Sequence, residues 1–222
     1  EVRGAAAMAG DETLIGLFRE GVDIHRRTAA LILGKDEAEV TAEDRRTSKA
    51  CVFGLLYGQS AGGLVDFARS GYGVELTLDE AKLFRERFFA TYRGLAVLQK
   101  QAWREAAEIG GLANCEVRTR IGRRRLLARG GADWHRFSAL VNNPVQGTCA
   151  DGMKAAIVRL GGELPEAARM VATVHDELVV LVPSDHAEAV RERVAAVMRE
   201  EMERLFPEVP IVVESKVCSN WG

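Results

Sequence analysis

The spacing of apolar residues changes once along this sequence, and that change constrains the fold more than any other feature. Through about the first three-quarters of the chain, apolar positions recur at helical spacing in runs that start at capping residues such as Asp23, Thr41 and Thr77. Further on, in ARMVATVHDELVVLVP, two Val-rich runs flank the polar residues at 175–177, which predicts a β-hairpin. A helical block followed by a small antiparallel sheet with helices predicts an α+β fold.

Local signals predict the other elements. The helical run after Thr77 carries a stripe that we expect in the core: Phe84, Phe88, Tyr92 and Leu95. The Arg-rich segment that follows predicts strand, turn and loop, and a helix is predicted over about 137–161 with an interruption at Pro144. Ser184 is a predicted helix cap, and Pro210 introduces a predicted final strand at 211–217.

Composition excludes several classes of protein. The 222 residues are 47% hydrophobic and long enough to bury a core, but no apolar run reaches the roughly 20 residues of a membrane span. No cationic start precedes an apolar segment, and the cysteines form no C-x-x-C pair, so a soluble protein with thiols in a reducing compartment is predicted. The formal charge is -2, so a nucleic-acid surface would have to come from local arrangement. The opening EVRGAAAMAGDE lacks an initial Met, which indicates a fragment.

The stretch RRTSKACVFGLLYGQS places its large polar and aromatic residues four positions apart. Four residues advance about 400° around a helix, so the following side chains share roughly 120° of one face: Arg45, Lys49, Phe53 and Tyr57. The cations at the amino end would attract a phosphate chain, and the rings further on could stack on a base. The alternative is an amphipathic helix with a solvated cationic start and two core aromatics. The opposite side is expected to pack inward through Ser48, Cys51, Val52 and Leu55.

The turn His175-Asp176-Glu177 places adjacent carboxylates between two apolar strands. Hard divalent cations such as magnesium take oxygen ligands, so this pattern is compatible with a metal site. Acids are also common in solvated turns, and this alternative stays open. The turn contains no Gly, Asn or Pro, which favours a role beyond bending.

A second candidate surface is formed by six arginines around Gly122: Arg118, Arg120, Arg123, Arg124, Arg125 and Arg129. Arginine binds phosphate through charge-assisted bidentate hydrogen bonds, although a solvated loop with compensating acids is the alternative. The next segment, NNPVQGTCADGMK, holds the amides Asn142, Asn143 and Gln146. These amides could face a nucleic-acid groove or cap a helix beside Pro144.

Together these segments resemble the C-terminal part of family A DNA polymerases, the bacterial DNA polymerase I type. The helix is similar to the family's nucleotide-binding helix, R-x-x-x-K-x-x-x-F-G-x-x-Y-G, and VHDELV, TRIGRRR and NPVQGTCAD resemble further family segments in the expected order. The opening 25 residues resemble the segment after the family's first catalytic Asp, and Trp221 matches a tryptophan near its C-terminus. The resemblance covers essentially the whole chain.

The resemblance implies a right-hand polymerase architecture of helical fingers and a palm with a small antiparallel sheet, without the thumb and the N-terminal part of the palm. In this division, residues 1–12 end the first palm segment and residues 13–130 form the fingers, with the nucleotide-binding helix at about 42–58. Residues 131–222 would form the palm, with the HDE hairpin and a C-terminal strand.

The nucleotide-binding residues that the resemblance implies are Glu1, His25, Arg45, Lys49, Phe53 and Tyr57. In the family, the residues that match Arg45, Lys49 and His25 hold the triphosphate. Lys49 is therefore also counted as a catalytic residue. Phe53 would pack against the sugar and base and disfavour nucleotides lacking a 3′-hydroxyl, and Tyr57 would sit at the templating-base end. Glu1 would crowd a ribose 2′-hydroxyl and so select deoxynucleotides.

The other carried-over roles concern metal and DNA. Asp176 would be a magnesium ligand, with Glu177 close by as a second catalytic acid. The residues implied to contact DNA are Arg123, Arg124, Asn142, Gln146 and His175. The implied reaction is two-metal attack of a primer 3′-hydroxyl on the α-phosphate, with two Mg²⁺ ions, or Mn²⁺ as a substitute, and pyrophosphate release.

The implied partners are primer–template DNA and dNTPs, in the cytoplasm and without a membrane. The family's first metal-binding Asp belongs to D-Y-S-x-I-E and would precede Glu1. The fragment is therefore expected to be inactive without the missing N-terminal polymerase segment, supplied by the same or another chain.

Two other functions remain open. A single-subunit RNA polymerase shares the R-x-x-x-K helix, although Phe53 before a glycine and Glu1 as a steric gate argue against it. The second alternative is a remnant of a polymerase that binds nucleic acid without catalysis, although the presence of Lys49 and Asp176 argues against it. The chain also departs from the family at Ser138, where Arg is frequent, and this puts one primer-side contact in doubt.

Overall fold

A computed structural model describes residues 1–109, 115–127 and 133–221. The helices in these ranges are Val2–Ala9 (α1), Glu12–Glu20 (α2), Ile24–Leu33 (α3), Ala42–Leu56 (α4), Ala61–Tyr72 (α5), Leu78–Thr91 (α6), Arg93–Ile109 (α7), Asp133–Glu163 (α8) and Ala187–Leu205 (α9), with a 3₁₀ turn at Glu37–Glu39. The strands are Cys115–Arg118 (β1), Arg124–Leu127 (β2), Arg169–Val174 (β3) and Glu177–Leu181 (β4). This arrangement confirms the α+β class. Within the described ranges, no helix combines the length and the apolar character that crossing a bilayer requires.

Several helices begin and end at residues that the sequence marks. The Thr41 and Thr77 hydroxyls accept from the amides of Asp44 and Glu80, whose carboxylates accept from the Thr amides in return, so two capping boxes are formed. α2 ends at Gly21, whose φ of 70° is left-handed and costs little without a Cβ. Local sequence therefore sets the limits of these helices.

One buried carboxylate joins the starts of two helices. Asp11 Oδ1 accepts from the Leu14 amide in α2 at 3.0 Å, and Asp11 Oδ2 accepts from the Gly94 and Leu95 amides in α7 at 2.8 and 3.2 Å. The anion thus lies at the positive ends of two helix dipoles. A Cβ on Gly94 would stand 2.7 Å from the Asp11 Cα, so the approach requires glycine there.

The main core lies between α1, α2, α4, α6 and α7 and also receives side chains from α8 and from the segment after α9. The expected core stripe is buried, which confirms that prediction: Phe84, Phe88, Tyr92 and Leu95. The buried Tyr92 hydroxyl lies 2.6 Å from Thr28 Oγ1, so both polar groups are satisfied. Val145 and Phe206 belong to the same cluster as Val2, so one hydrophobic core contains residues from both ends of the chain.

Both sheets of the described chain are antiparallel hairpins of two strands. β1 pairs with β2 around the turn that contains Gly122, and β3 pairs with β4 up to the pair Val174–Glu177. The hairpin predicted around residues 175–177 is therefore confirmed. β1 and β2 pack against α8, which places the Arg-rich segment beside that helix.

The predicted interruption of the long helix at Pro144 is wrong, because α8 runs through it from Asp133 to Glu163. Proline removes one amide donor and usually bends a helix. Here the β1–β2 hairpin packs alongside the helix, and the Arg120 amide donates to Thr148 Oγ1 at 3.1 Å. Tertiary contacts thus override the local signal.

Two predictions near the C-terminus also differ from the structure. α9 begins after His186 instead of Ser184, because the His186 amide bonds the Pro183 carbonyl at 3.0 Å and closes a turn first. The segment 211–217 is not a strand, since it pairs with no strand of the described chain. A Val-rich sequence without a neighbouring strand leaves its backbone groups unpaired and does not form a ladder.

Replacing Asp11 with Ala should lower the free energy of unfolding by about 3 kcal/mol, because three amides at two helix starts lose their acceptor. Urea unfolding followed by circular dichroism measures this. Asp66→Asn is the matched control, since this exposed carboxylate only pairs with Arg69 at 2.9 Å, and the control should change stability by less than about 0.5 kcal/mol. Equal losses in the two variants would contradict the role given to Asp11.

Candidate active site

One face of α4 carries two cations followed by two aromatic rings. Lys49 is exposed, and Arg45, Phe53 and Tyr57 are half-buried. The opposite side is buried as expected, which confirms its inward packing: Ser48, Cys51, Val52 and Leu55. The Phe53 and Tyr57 ring centroids are 6.3 Å apart, so the rings follow each other along the helix.

His25 of α3 lies against this face. Its ring centroid is 5.9 Å from that of Phe53. Burial lowers the pKa of His25 to about 4; Asp23 opposes this shift, while Arg45 and Lys49 reinforce it. The imidazole is therefore neutral near pH 7, and its buried Nδ1 has no hydrogen-bond partner in the described chain.

Arg45 is held by a carboxylate on α3. Its Nε donates to Asp23 Oδ2 at 2.6 Å, while Asp23 Oδ1 accepts from the His25 and Arg26 amides. Burial alone would raise the pKa of Asp23, but the bonds from Arg45 and the two amides hold it below its usual value. Asp23 was predicted as a helix cap, but its pairing with Arg45 was not, because the two residues are distant in sequence.

A small pocket lies at the carboxyl end of α4. Tyr57 and Asn142 line it together with Glu1, whose carboxylate accepts a short hydrogen bond from the Tyr57 hydroxyl. The Asn142 amide donates to Ser138 Oγ at 3.1 Å, and its buried Oδ1 has no partner in the described chain. Gln99 of α7 also lines the pocket and donates to the Leu55 carbonyl at 2.5 Å. No sequence pattern singles out Gln99, because its role depends on a contact between two distant helices.

His175 and Asp176 form the two-residue turn between β3 and β4. His175 has a φ of 56°, which is uncommon for a residue other than glycine. Both residues are exposed, as is Glu177, whose carboxylate accepts from the Trp221 indole at 3.1 Å. The tight turn thus presents the Asp176 carboxylate to solvent.

Glu1 and Asp176 both act electrostatically on the thiol of Cys149 in α8. Burial raises the pKa of the Cys149 thiol, the amino terminus opposes this, and the charges of Glu1 and Asp176 raise it further. In the ranges that the structure describes, however, no three His, Cys, Asp or Glu residues gather in a way that could hold a metal ion. The magnesium role of Asp176 therefore stays a prediction.

The arginines of the hairpin bind protein groups and lie beside α8. Arg123 Nε donates to Asp151 Oδ1 at 2.5 Å, and Arg124 lies 3.4 Å from Glu116. Arg120 forms an ion pair with Glu208 at 2.9 Å. Arg129 lies outside the described residues. The exposed Gln146 side chain is on α8 next to this hairpin.

The family model of DNA polymerase family A matches residues 1–222. The chain belongs to DNA polymerase family A. DNA polymerase I of Aquifex aeolicus (strain VF5) is 38% identical over 224 residues, which cover 100% of this chain and 37% of that protein. The thermostable DNA polymerase I of Thermus thermophilus is 40% identical over 232 residues, covering 100% of this chain and 26% of the relative.

A solved structure in the same family supports the fold. The POL domain of Pol1 from M. smegmatis, in complex with DNA primer-template and dNTP, has a TM-score of 0.77 and 29% identity to this chain. The match covers 96% of this chain and 37% of that one. This family A chain therefore spans between about a quarter and two-fifths of the length of the proteins compared with it.

The pKa of His25 should rise from about 4 when a neighbouring cation is neutralised, as in Arg45→Gln or Lys49→Gln. A pH titration of the imidazole resonances by NMR measures the shift. Arg46→Gln is the matched control, because this exposed cation does not act on His25, and the pKa should stay constant. An unchanged pKa in all three variants would contradict the electrostatic coupling.

Linkage gives the same histidine a measurable effect on stability. The unfolded His25 takes up its proton near pH 6.5 and the folded one near pH 4. Its contribution to stability is therefore complete above pH 6.5 and is lost as the pH falls towards 4.

Proposed function

We propose that this chain is the nucleotide-binding and part of the catalytic portion of a DNA-directed DNA polymerase, which adds deoxynucleotides to a primer 3′-hydroxyl. The observation that carries the proposal is the face of α4, where Arg45 and Lys49 precede Phe53 and Tyr57, with the His25 ring beside them. The family match and the relatives named DNA polymerase I support it.

In this proposal the incoming dNTP lies along α4. Arg45, Lys49 and His25 bind the triphosphate. Arg45 is paired with Asp23, whereas Lys49 forms no ion pair with a described carboxylate, so its charge is available to the phosphates. A neutral imidazole donates one hydrogen bond to a phosphate oxygen without adding a third cation, which fits the low pKa of His25. When the nucleotide binds, the Arg45 guanidinium donates to a phosphate oxygen in place of part of its hydrogen bonding to Asp23.

The sugar, base and template side follow along the same face. Phe53 packs against the sugar and base, and Tyr57 lies at the templating-base end. Glu1 crowds the ribose 2′ position, and its hydrogen bond with Tyr57 holds the carboxylate towards that end of the helix. The half-buried rings supply the apolar area that stacking needs.

We assign the duplex contacts to α8, the first hairpin and the β3–β4 turn. Asn142 and Gln146 are four residues apart on α8 and therefore share a face, so both can reach one minor groove. Arg124 on the hairpin and His175 at the β3–β4 turn are both exposed. In this proposal His175 contacts the primer end. The DNA contact of Arg123 stays a prediction, since its guanidinium already binds Asp151.

Asp176, with Glu177 beside it, is proposed as this chain's contribution to a two-magnesium centre. When bound, the ions would activate the primer 3′-hydroxyl and stabilise the charge that develops on the α-phosphate. The remaining ligands come, in this proposal, from an N-terminal polymerase segment on the same or another chain. The inactivity of these 222 residues without those ligands is part of the proposal. So is the division into residues 1–12 as the end of the first palm segment, 13–130 as fingers and 131–222 as palm.

In a complete polymerase that contains this chain, Asp176→Asn should abolish primer extension, by a factor of about 10³ or more, because a metal ligand is lost. Filter binding should show unchanged affinity for primer–template DNA. Asp185→Asn, at another exposed carboxylate in a turn, is the control and should extend normally. Full extension by Asp176→Asn would remove this residue from the metal centre.

Lys49→Ala in the same polymerase should raise KM for dNTP and lower kcat/KM by about 30-fold to 100-fold, since a charge-assisted phosphate contact is lost. Arg46→Ala removes a cation from the same helix outside the proposed face and should change kcat/KM less than about twofold. Steady-state kinetics on one primer–template measure both variants. Similar losses at the two positions would indicate a general electrostatic effect instead of a specific contact.

A further inference from the structure

Pro144 lies inside α8 between the two amides proposed to touch DNA, Asn142 and Gln146. A proline within a helix removes one backbone bond and commonly produces a kink. Such a bend would move Asn142, on the amino side, relative to Gln146, on the carboxyl side. α8 nevertheless continues through Pro144 without a break.

The β1–β2 hairpin makes hydrogen bonds to α8 on both sides of this proline. Before it, Arg125 Nη1 donates to Asn143 Oδ1 at 2.7 Å. After it, Arg123 Nη2 donates to the Gly147 carbonyl at 2.9 Å, and the Arg120 amide donates to Thr148 Oγ1 at 3.1 Å. The hairpin therefore bridges the point at which the helix is weakest.

Asp151 anchors this bridge one turn further along α8. Its Oδ1 accepts from Arg123 Nε at 2.5 Å, and its side chain is only 3% exposed. Asp151 is the buried partner of this pair, whereas the Arg123 side chain is 44% exposed, so the buried carboxylate depends on the bond from the hairpin. A Cβ on Gly147 would stand 2.6 Å from Thr119 Cγ2, so hairpin and helix approach more closely than any side chain at 147 would permit.

We propose that the β1–β2 hairpin is a splint that holds α8 in one geometry across Pro144 and thereby sets the relative position of Asn142 and Gln146 on the primer–template duplex. Asp151 is the positioning residue, which acts through Arg123 and touches no substrate. The proposal rests on the function proposed above. Gln146 is exposed and forms no hydrogen bond within the described ranges, so its amide is available to a ligand whose place the splint determines.

The test uses the complete polymerase and primers that end in guanine or in an analogue whose minor-groove acceptor nitrogen is replaced by C–H. Single-turnover extension rates are measured for both primers. Wild-type enzyme should extend the analogue about tenfold more slowly, because one groove hydrogen bond is lost. Asp151→Asn should extend the natural primer about tenfold more slowly, and its penalty for the analogue should shrink to less than about twofold.

The control on the same helix is Glu163→Gln, which removes another ion-paired carboxylate, bonded to Arg159 at 2.8 Å, about 18 Å along α8 from Asp151. It should keep both the wild-type rate and the full analogue penalty. A full penalty in Asp151→Asn would overturn the splint. Equal extension of both primers by the wild-type enzyme would overturn the groove contact and with it this proposal. The proposed function in DNA synthesis would not be affected by that result. No extension by the wild type would overturn the proposed function itself.

Hydrogen exchange provides a readout without DNA. Amides of α8 on both sides of Pro144 should exchange faster in Asp151→Asn, while α9 keeps its protection. Arg125→Gln removes the exposed hydrogen bond to Asn143 and is the second variant, to be used if Asp151→Asn does not fold. In this variant the same amides of α8 should exchange faster, and the loss of rate with the analogue primer should be smaller than in the wild type. Unchanged exchange together with a full penalty in Arg125→Gln would overturn the proposal.

Discussion

The bonds of Asp11 to two helix starts are the interaction on which the rest of the structure depends. They place α7 beside α2, and α7 in turn bonds the last turn of α4 through Gln99 and the Leu55 carbonyl. The carboxyl end of α4, with Tyr57, is thus positioned by a chain of contacts that begins at one buried anion. Burial increases the importance of that anion, because no water replaces it as acceptor for the amides.

The face of α4 is prepared electrostatically as well as sterically. Asp23 caps α3 and also holds Arg45, so a single carboxylate determines where one cation stands. His25 stays neutral beside it because burial and the neighbouring cations disfavour its protonated form. Among the described residues, the face therefore offers one cation paired with a carboxylate, one cation without an ion pair and one neutral imidazole, in line with the anion binding proposed for it.

Sequence reasoning succeeded where the cause is local and failed where it is distant. The capping box at Thr41, the glycine that ends α2 and the hairpin at residues 175–177 were predictable, because each depends on a few adjacent residues. The α4 face was predictable because it follows from helical period alone. The ion pair of Arg123 was not predictable, since its partner Asp151 lies on another element and only the fold brings them together. Pro144 was misjudged for the same reason.

The two ends of the chain are joined directly. Phe206 packs so closely on α1 that a Cβ on Gly4 would stand 3.0 Å from its ring, and Arg3 donates to the Pro210 carbonyl at 2.7 Å. Arg120 adds bonds to the carbonyls of Ala7 and Leu205. A protease cut between the helices would therefore leave a nicked molecule whose halves stay associated, and halves made separately carry the matching surfaces to reassemble.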